Sequence, residues 1–79
     1  MMILYVKNGC PWCVIAESWL KRHGVVYKAV DVLQSPEDFN TMRAISGQSK
    51  APVLVSPEGK VLSDFGPEEL PGFFGITED

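Results

Sequence analysis

"NGCPWCVIA", residues 8–16, contains both cysteines of the chain, Cys10 and Cys13, separated by Pro11 and Trp12. Asn8-Gly9 is a turn signal. From Pro11 the pattern turns helical, with Val14, Ile15, Trp19 and Leu20 as an apolar stripe and Glu17, Lys21 and Arg22 outside it. Proline is acceptable in a first helical turn, where its missing N–H costs little. His23-Gly24 ends the helix, with Gly24 as its C-cap. A turn on one side and a helix on the other place a thiol at their junction.

Working outward, "MILYV" (residues 2–6) is a continuous apolar, β-prone run suited to a strand buried on both faces. "VVYKAVDV" (25–32) reads as a second strand. Ser35 as N-cap, Pro36 at the first helical position and Asp38 two later predict a second helix over 36–45, stopped by Gly47. "APVLVS" (51–56), the turn "PEG" and "KVLSDF" (60–65) read as a β-hairpin. "GPEELPGFFGITED" (66–79) starts a helix at Pro67, with Glu68 and Glu69 in its first turn and Pro71 expected to break or redirect it. The order β-α-β-α-β-β-α predicts an α/β fold: a mixed four-stranded sheet flanked by helices, in one domain spanning residues 1–79.

The whole-chain numbers limit the possibilities. The 79 residues leave room for one small core, and 46% hydrophobic with 22% charged residues fit a globular chain. A net charge of −3 argues against nucleic acid as the main partner, because phosphate binding needs a basic face. No apolar run approaches the roughly 20 residues that span a bilayer. The start "MMILYVKNG" lacks the basic lead of a signal peptide, so a cytoplasmic location is expected. Structural disulfides are uncommon there, and a bridge between Cys10 and Cys13 would close a very short loop with little entropic benefit.

Placed at a helix N-terminus, Cys10 meets unpaired backbone N–H groups and the positive end of the helix dipole, which favour an anion. Cys13, inside the first turn, is expected to be the more buried. That asymmetry suits a dithiol oxidoreductase, in which one thiolate attacks and its neighbour resolves the mixed disulfide. For a thiol in general, moving the pKa from about 8.5 to about 7 raises the thiolate fraction from roughly 3% to half. The loss of intrinsic nucleophilicity leaves a net gain of only about threefold, so most of the advantage must come from holding the second thiol close. A structural zinc site generally needs four ligands, whereas the chain offers two Cys and one distant His23.

A redox C-x-x-C beside a βαβ pattern carries a resemblance. "CPWC" is similar to the Cys-Pro-Tyr-Cys site of dithiol glutaredoxins, members of the thioredoxin-fold superfamily, with Trp12 in place of tyrosine. "GQSKAPV" (47–53) resembles the family's Gly-x-x-x-Val-Pro loop. The resemblance implies a thioredoxin-like fold, a cis Pro52 facing the site, and an Ala51 backbone that pairs with a bound thiol peptide. It implies that Lys7 favours the thiolate and meets the glycine carboxylate of glutathione. Lys7, Pro11, Trp12, Ala51, Pro52, Gly66 and Glu68 are then the residues expected around the thiolate and a glutathione groove, with Cys10 and Cys13 catalytic.

Two segments depart from the pattern. "DFGPEEL" (64–70) replaces the family's Gly-Gly-x-Asp-Asp, so Phe65 stands where a glycine is usual and Glu68 or Glu69 would supply the acids. Phe39 falls where Gln, Arg or Lys often holds the glycine carboxylate. "DFGPEEL" also resembles the glutaredoxin-like hydrogen donors of ribonucleotide reductase, which thioredoxin reductase reduces.

The expected function is thus reduction of protein disulfides or glutathione mixed disulfides by a monomer, with glutathione as co-substrate and no metal. Thioredoxin reductase, with ribonucleotide reductase as acceptor, is the alternative pair of partners. A dimeric carrier of a [2Fe–2S] cluster is a third reading, against which Cys13 counts, because pure cluster carriers usually have a single-cysteine site. Trp12 is expected at an exposed rim, and Tyr5, Trp19, Tyr27, Phe73 and Phe74 in packing.

Overall fold

The computed structural model describes residues 1–76. Its elements run β1 (Met2–Val6), α1 (Pro11–Arg22), β2 (Tyr27–Asp31), α2 (Pro36–Ser46), β3 (Val53–Val55), β4 (Val61–Ser63) and α3 (Leu70–Phe74). A 3-10 turn, Pro67–Glu69, leads into α3. The last three residues of the "GFFGITED" segment lie outside the described residues.

The four strands form one sheet in the order β2-β1-β3-β4. β1 pairs parallel to β2, with Met2 opposite Tyr27 and Val6 opposite Asp31. It pairs antiparallel to β3, with Leu4 opposite Leu54, and β3 continues antiparallel to β4. This is the thioredoxin-like arrangement. Because β1 is central, its alternating side chains enter two separate cores. Leu4 and Val6 join Ala16, Trp19 and Leu20 of α1, Leu54, Phe65 and Leu70 on one face; Tyr5 joins Val32, Met42 of α2 and Val53 on the other. The sheet is therefore covered on both sides, and the ends of β1 and β3 beside α1 carry the site.

Local chemistry accounts for the element boundaries. The N–H of Cys10 donates to Lys7 O at 3.1 Å, closing a turn whose third residue, Gly9, has φ +86°. A residue with a Cβ is strained at such an angle, which is why glycine follows Asn8 here. Ser35 caps α2 by accepting the Asp38 N–H at 3.3 Å, ahead of Pro36 in the first turn. Gly47, with φ +72°, ends that helix as its left-handed cap.

Three expectations are corrected. The buried stripe of α1 is Cys13, Ala16, Trp19 and Leu20, while Val14 is 62% and Ile15 41% exposed. The small side chains at 13 and 16 permit close approach to the sheet, and this face wins over the bulkier apolar pair. Glu17 is not simply solvated: it accepts a hydrogen bond from the Tyr27 hydroxyl at 2.7 Å. That bond and burial push the Tyr27 hydroxyl up to about 12, burial being the larger cause. Pro71, finally, does not break the last helix. The 3-10 turn ends before it, and Pro71 sits in the first turn of α3, where no backbone donor is required of it.

Candidate functional site

Cys10 is the N-cap of α1, in extended conformation, and its side chain occupies the place that Ser or Asp takes at ordinary caps. The Cys13 N–H donates to Cys10 Sγ at 3.2 Å. Pro11, exposed at the first helical position, leaves one fewer N–H to satisfy at the helix start. The two thiols differ as expected: Cys10 is half-buried, whereas Cys13 is 2% exposed. Burial above all, then the hydrogen bond with Cys10, pushes the Cys13 thiol up to about 12; a backbone hydrogen bond from Lys7 acts in the opposite direction. Cys13 is thus held as a thiol while Cys10 faces outward.

The loop before β3 forms the second wall. Ala51–Pro52 is a cis peptide bond, and Pro52 is fully buried. Cys10 Sγ lies 4.0 Å from Ala51 O, toward which its thiol donates. The Asp64 N–H donates to Pro52 O at 3.1 Å, tying the end of β4 to the same loop. Lys7 Nζ donates to Ser49 O at 2.9 Å and lies 5.3 Å from the centre of the Phe39 ring. Arg43 faces that ring as well, at 5.9 Å, so Phe39 is shared by two cations. The Lys7 ammonium is thus anchored on the loop that precedes Pro52.

A groove of about 320 Å³ is lined by Trp12, Pro52, Asp64, Phe65, Gly66, Glu68 and Glu69. Trp12 stands at its rim, 55% exposed, as expected. Gly66 and Glu68 both line this groove, but their local arrangement differs from an open anion site. The Gly66 N–H donates to Glu69 Oε2 at 3.2 Å, and a Cβ on Gly66 would lie 2.6 Å from Glu68 Oε1. Phe65, in the place of the family's first glycine, is 4% exposed and packs with α1 and α3. The structure therefore brings Trp12, Pro52, Gly66 and Glu68 to one groove, while Cys10, the N-cap ahead of Pro11, faces Ala51 O in the loop that Lys7 reaches through Ser49, and Cys13 is buried behind it.

Sequence reading passed over Asp64 and Ser49. Asp64, exposed on the groove with φ +51°, adopts a conformation that aspartate tolerates better than most side chains. An Asp directly before Phe-Gly-Pro at a strand end was its available signal. Ser49 contributes only a carbonyl, which no side-chain pattern reveals.

Comparison with known proteins bears on the family and the fold. The sequence profile of the family described as Glutaredoxin matches residues 2–61. A protein of Clostridium pasteurianum, described as an uncharacterized glutaredoxin-like 8.6 kDa protein in a rubredoxin operon, is 29% identical over 70 residues, covering 89% of this chain and 92% of its own. The crystal structure of the thioredoxin-like protein BC3987 is similar with TM-score 0.82 and 28% identity, over 91% of this chain and 97% of that one. The glutaredoxin-like NrdH-redoxin of Escherichia coli, whose structure was solved to explain a thioredoxin-like activity profile, shares the fold with TM-score 0.77 at 22% identity, over 90% and 91% of the two chains.

Proposed function

The chain belongs to the glutaredoxin family and is a glutaredoxin- or thioredoxin-like redox protein; from that premise we propose that it is a dithiol thiol–disulfide oxidoreductase in which Cys10 attacks and Cys13 resolves. The observation that carries this reading is the pairing of unlike thiols across one helix N-terminus: a half-buried Cys10 whose Sγ receives the Cys13 N–H, and a buried Cys13 held as the thiol.

In the first step the Cys10 thiolate attacks one sulfur of a substrate disulfide. A Cys10–substrate bond forms, the substrate S–S bond breaks, and the first substrate sulfur leaves and takes up a proton. In the second step Cys13 gives up its proton and attacks Cys10 Sγ. The mixed disulfide breaks, the second substrate thiol leaves, and a Cys10–Cys13 disulfide remains, so two electrons have passed to the substrate. The causes of the high Cys13 value give this order a physical basis. Burial, the largest cause, persists throughout, while the smaller contributions of the hydrogen bond and charge interaction with Cys10 lapse once Cys10 is bound in a neutral disulfide. Cys13 therefore gives up its proton more readily in the mixed disulfide than in the free dithiol.

Trp12 is the exposed apolar wall against which a substrate peptide lies, beside the cis Ala51–Pro52 bond that shapes the loop, and glutathione is the proposed co-substrate that returns the dithiol. Two glutathione thiols then become oxidised glutathione. A pair kept reduced between turnovers fits the cytoplasm, the proposed location. A second reading, recycling by a flavoprotein such as thioredoxin reductase with ribonucleotide reductase as acceptor, is favoured by one specific observation. The Gly66 N–H, the donor a γ-glutamyl carboxylate would use, is already taken by Glu69.

The test is to oxidise the protein and offer it, in parallel, glutathione with glutathione reductase and NADPH, or thioredoxin reductase with NADPH. Turnover with glutathione supports the first reading, and turnover with the flavoprotein alone supports the second. No reduction by either, with the Cys10–Cys13 disulfide present, removes the dithiol proposal.

A further inference from the structure

Between Gly47, which ends α2, and the buried Pro52 lie four residues that carry both backbone acceptors of the site. Ser49 O receives Lys7 Nζ, and Ala51 O faces Cys10 Sγ. Neither residue belongs to a strand or helix, so something other than a ladder must hold these carbonyls. The Gln48 side chain fills that role. Its Nε2 donates to Lys50 O at 2.9 Å, and its Oε1 accepts the Lys50 N–H. The amide thus pairs with both backbone groups of the one residue between the two acceptors, as a neighbouring strand would. Its remaining donor reaches Ser46 Oγ at 3.2 Å, and that hydroxyl donates to Met42 O at 2.7 Å, on a residue wholly buried in the second core. An unbroken chain of hydrogen bonds runs from the core through the last turn of α2 to the wall opposite Cys10.

We propose that Gln48 is a positioning residue of the redox site, holding the 48–51 loop so that Ser49 O and Ala51 O stand where Lys7 and an incoming disulfide require them. This rests on the dithiol reading above, and it adds a residue that touches neither cysteine. Only an amide suits the position. The Lys50 N–H can only donate and the Lys50 carbonyl can only accept, so a carboxylate would set an oxygen against the carbonyl, and an apolar side chain would leave both unpaired. The loop itself is exposed at Ser49 and Lys50, so water can replace the lost bonds and the fold persists while the wall loosens. An incoming disulfide binds against this wall before it reacts, and a loose wall weakens that binding while leaving the Cys10 sulfur itself unchanged.

The experiment compares wild type with Gln48→Met, which keeps the bulk, and Gln48→Ala. Three quantities are read: KM and kcat for a peptide disulfide, the rate of Cys10 alkylation by iodoacetamide, and hydrogen exchange at the Lys50 amide. Each net hydrogen bond in water corresponds to a few-fold in equilibrium, so losing two should raise KM about five- to tenfold in both variants, with kcat and alkylation within about twofold. Lys50 amide protection should fall by a similar factor. Loss of activity in kcat and KM alike, in step with a fall in the denaturation midpoint, would show a merely structural residue and overturn the proposal. So would an unchanged KM in a folded Gln48→Met protein. Wild-type protein without turnover overturns the dithiol reading and the catalytic purpose of the latch with it, while a slow Lys50 amide in that same protein still identifies the failed reading as the chemical one.

Discussion

Two helix starts meet at the groove, and they spend their backbone donors in opposite ways. At the head of α1 the donor from Cys13 points at Cys10 Sγ, a group that reacts. At the 3-10 turn before α3 the donor from Gly66 points at the carboxylate of Glu69, a group of the same turn that does not react. The physical attraction is alike in both: an unpaired N–H at a helix start seeks negative charge. What differs is whether the chain supplies that charge itself or leaves the place to chemistry. A helix N-terminus is therefore informative about function only after its internal partners have been counted.

The largest effect is expected on the α1 side. Cys10→Ser should remove turnover altogether, whereas Cys13→Ser should stop after the first step and accumulate a mixed disulfide, visible by mass spectrometry of the intact protein. If Cys13→Ser captures neither glutathione nor a peptide, the assignment of the two thiols is wrong.

Alkaline pH probes the same asymmetry through stability. The folded-state value of Cys13 is raised from an ordinary 9 to about 12. Its contribution to stability is therefore complete below pH 9 and is lost as pH rises from 9 toward 12. Tyr27, raised from 10 to about 12, adds to the decline from pH 10 upward. Denaturation midpoints of the reduced protein should fall through that window, and those of Cys13→Ala should fall less between pH 9 and 10. Parallel curves for the two proteins would mean that burial of Cys13 does not govern its proton.

A smaller loss is expected at the turn that delivers Cys10 to its cap. Gly9 sits at φ +86° with open space where a Cβ would go, so Gly9→Ala tests backbone strain without steric clash. It should cost about 1–2 kcal/mol in urea denaturation. An unchanged midpoint would show that the turn relaxes to another geometry.

The smallest effect sharpens the α3 side. Glu69→Ala frees the Gly66 N–H and removes a negative charge from the groove, so KM for a glutathione mixed disulfide should fall about three- to tenfold, the scale of one ordinary net hydrogen bond in water. No change in KM would mean that Glu69 does not compete with glutathione, and the flavoprotein reading would lose its main support.

Much of the fold was legible because its signals are short-range. Ser35-Pro36, Gly47 and Gly9 each act on backbone within a turn, and the run of β1 is apolar on both faces because the strand lies between two cores. The cysteine pair was legible for the same reason: the N-cap sulfur and the N–H that it accepts lie three positions apart in the chain. The buried face of α1 was harder, since apolar residues occur on two arcs of the helix. Hydropathy favoured Val14 and Ile15, but the sheet took Cys13 and Ala16, whose small side chains let the helix approach.

By itself, then, the sequence determined the order of elements, their caps, and the presence of two unlike thiols at a helix start. Folding alone decided that Lys7 would be anchored on Ser49, 42 residues away, and that Cys10 would face Ala51 across 41. It decided that Glu69 would close the donor on Gly66, and that the amide of Gln48 would turn back on Lys50. The last two span few residues, and the step from Gly66 to Glu69 is capping-box spacing, yet each side chain had solvent as an alternative partner. Periodicity and capping act along the chain. Which donor meets which acceptor across the groove is settled when the sheet closes and the loop before Pro52 is drawn against α1.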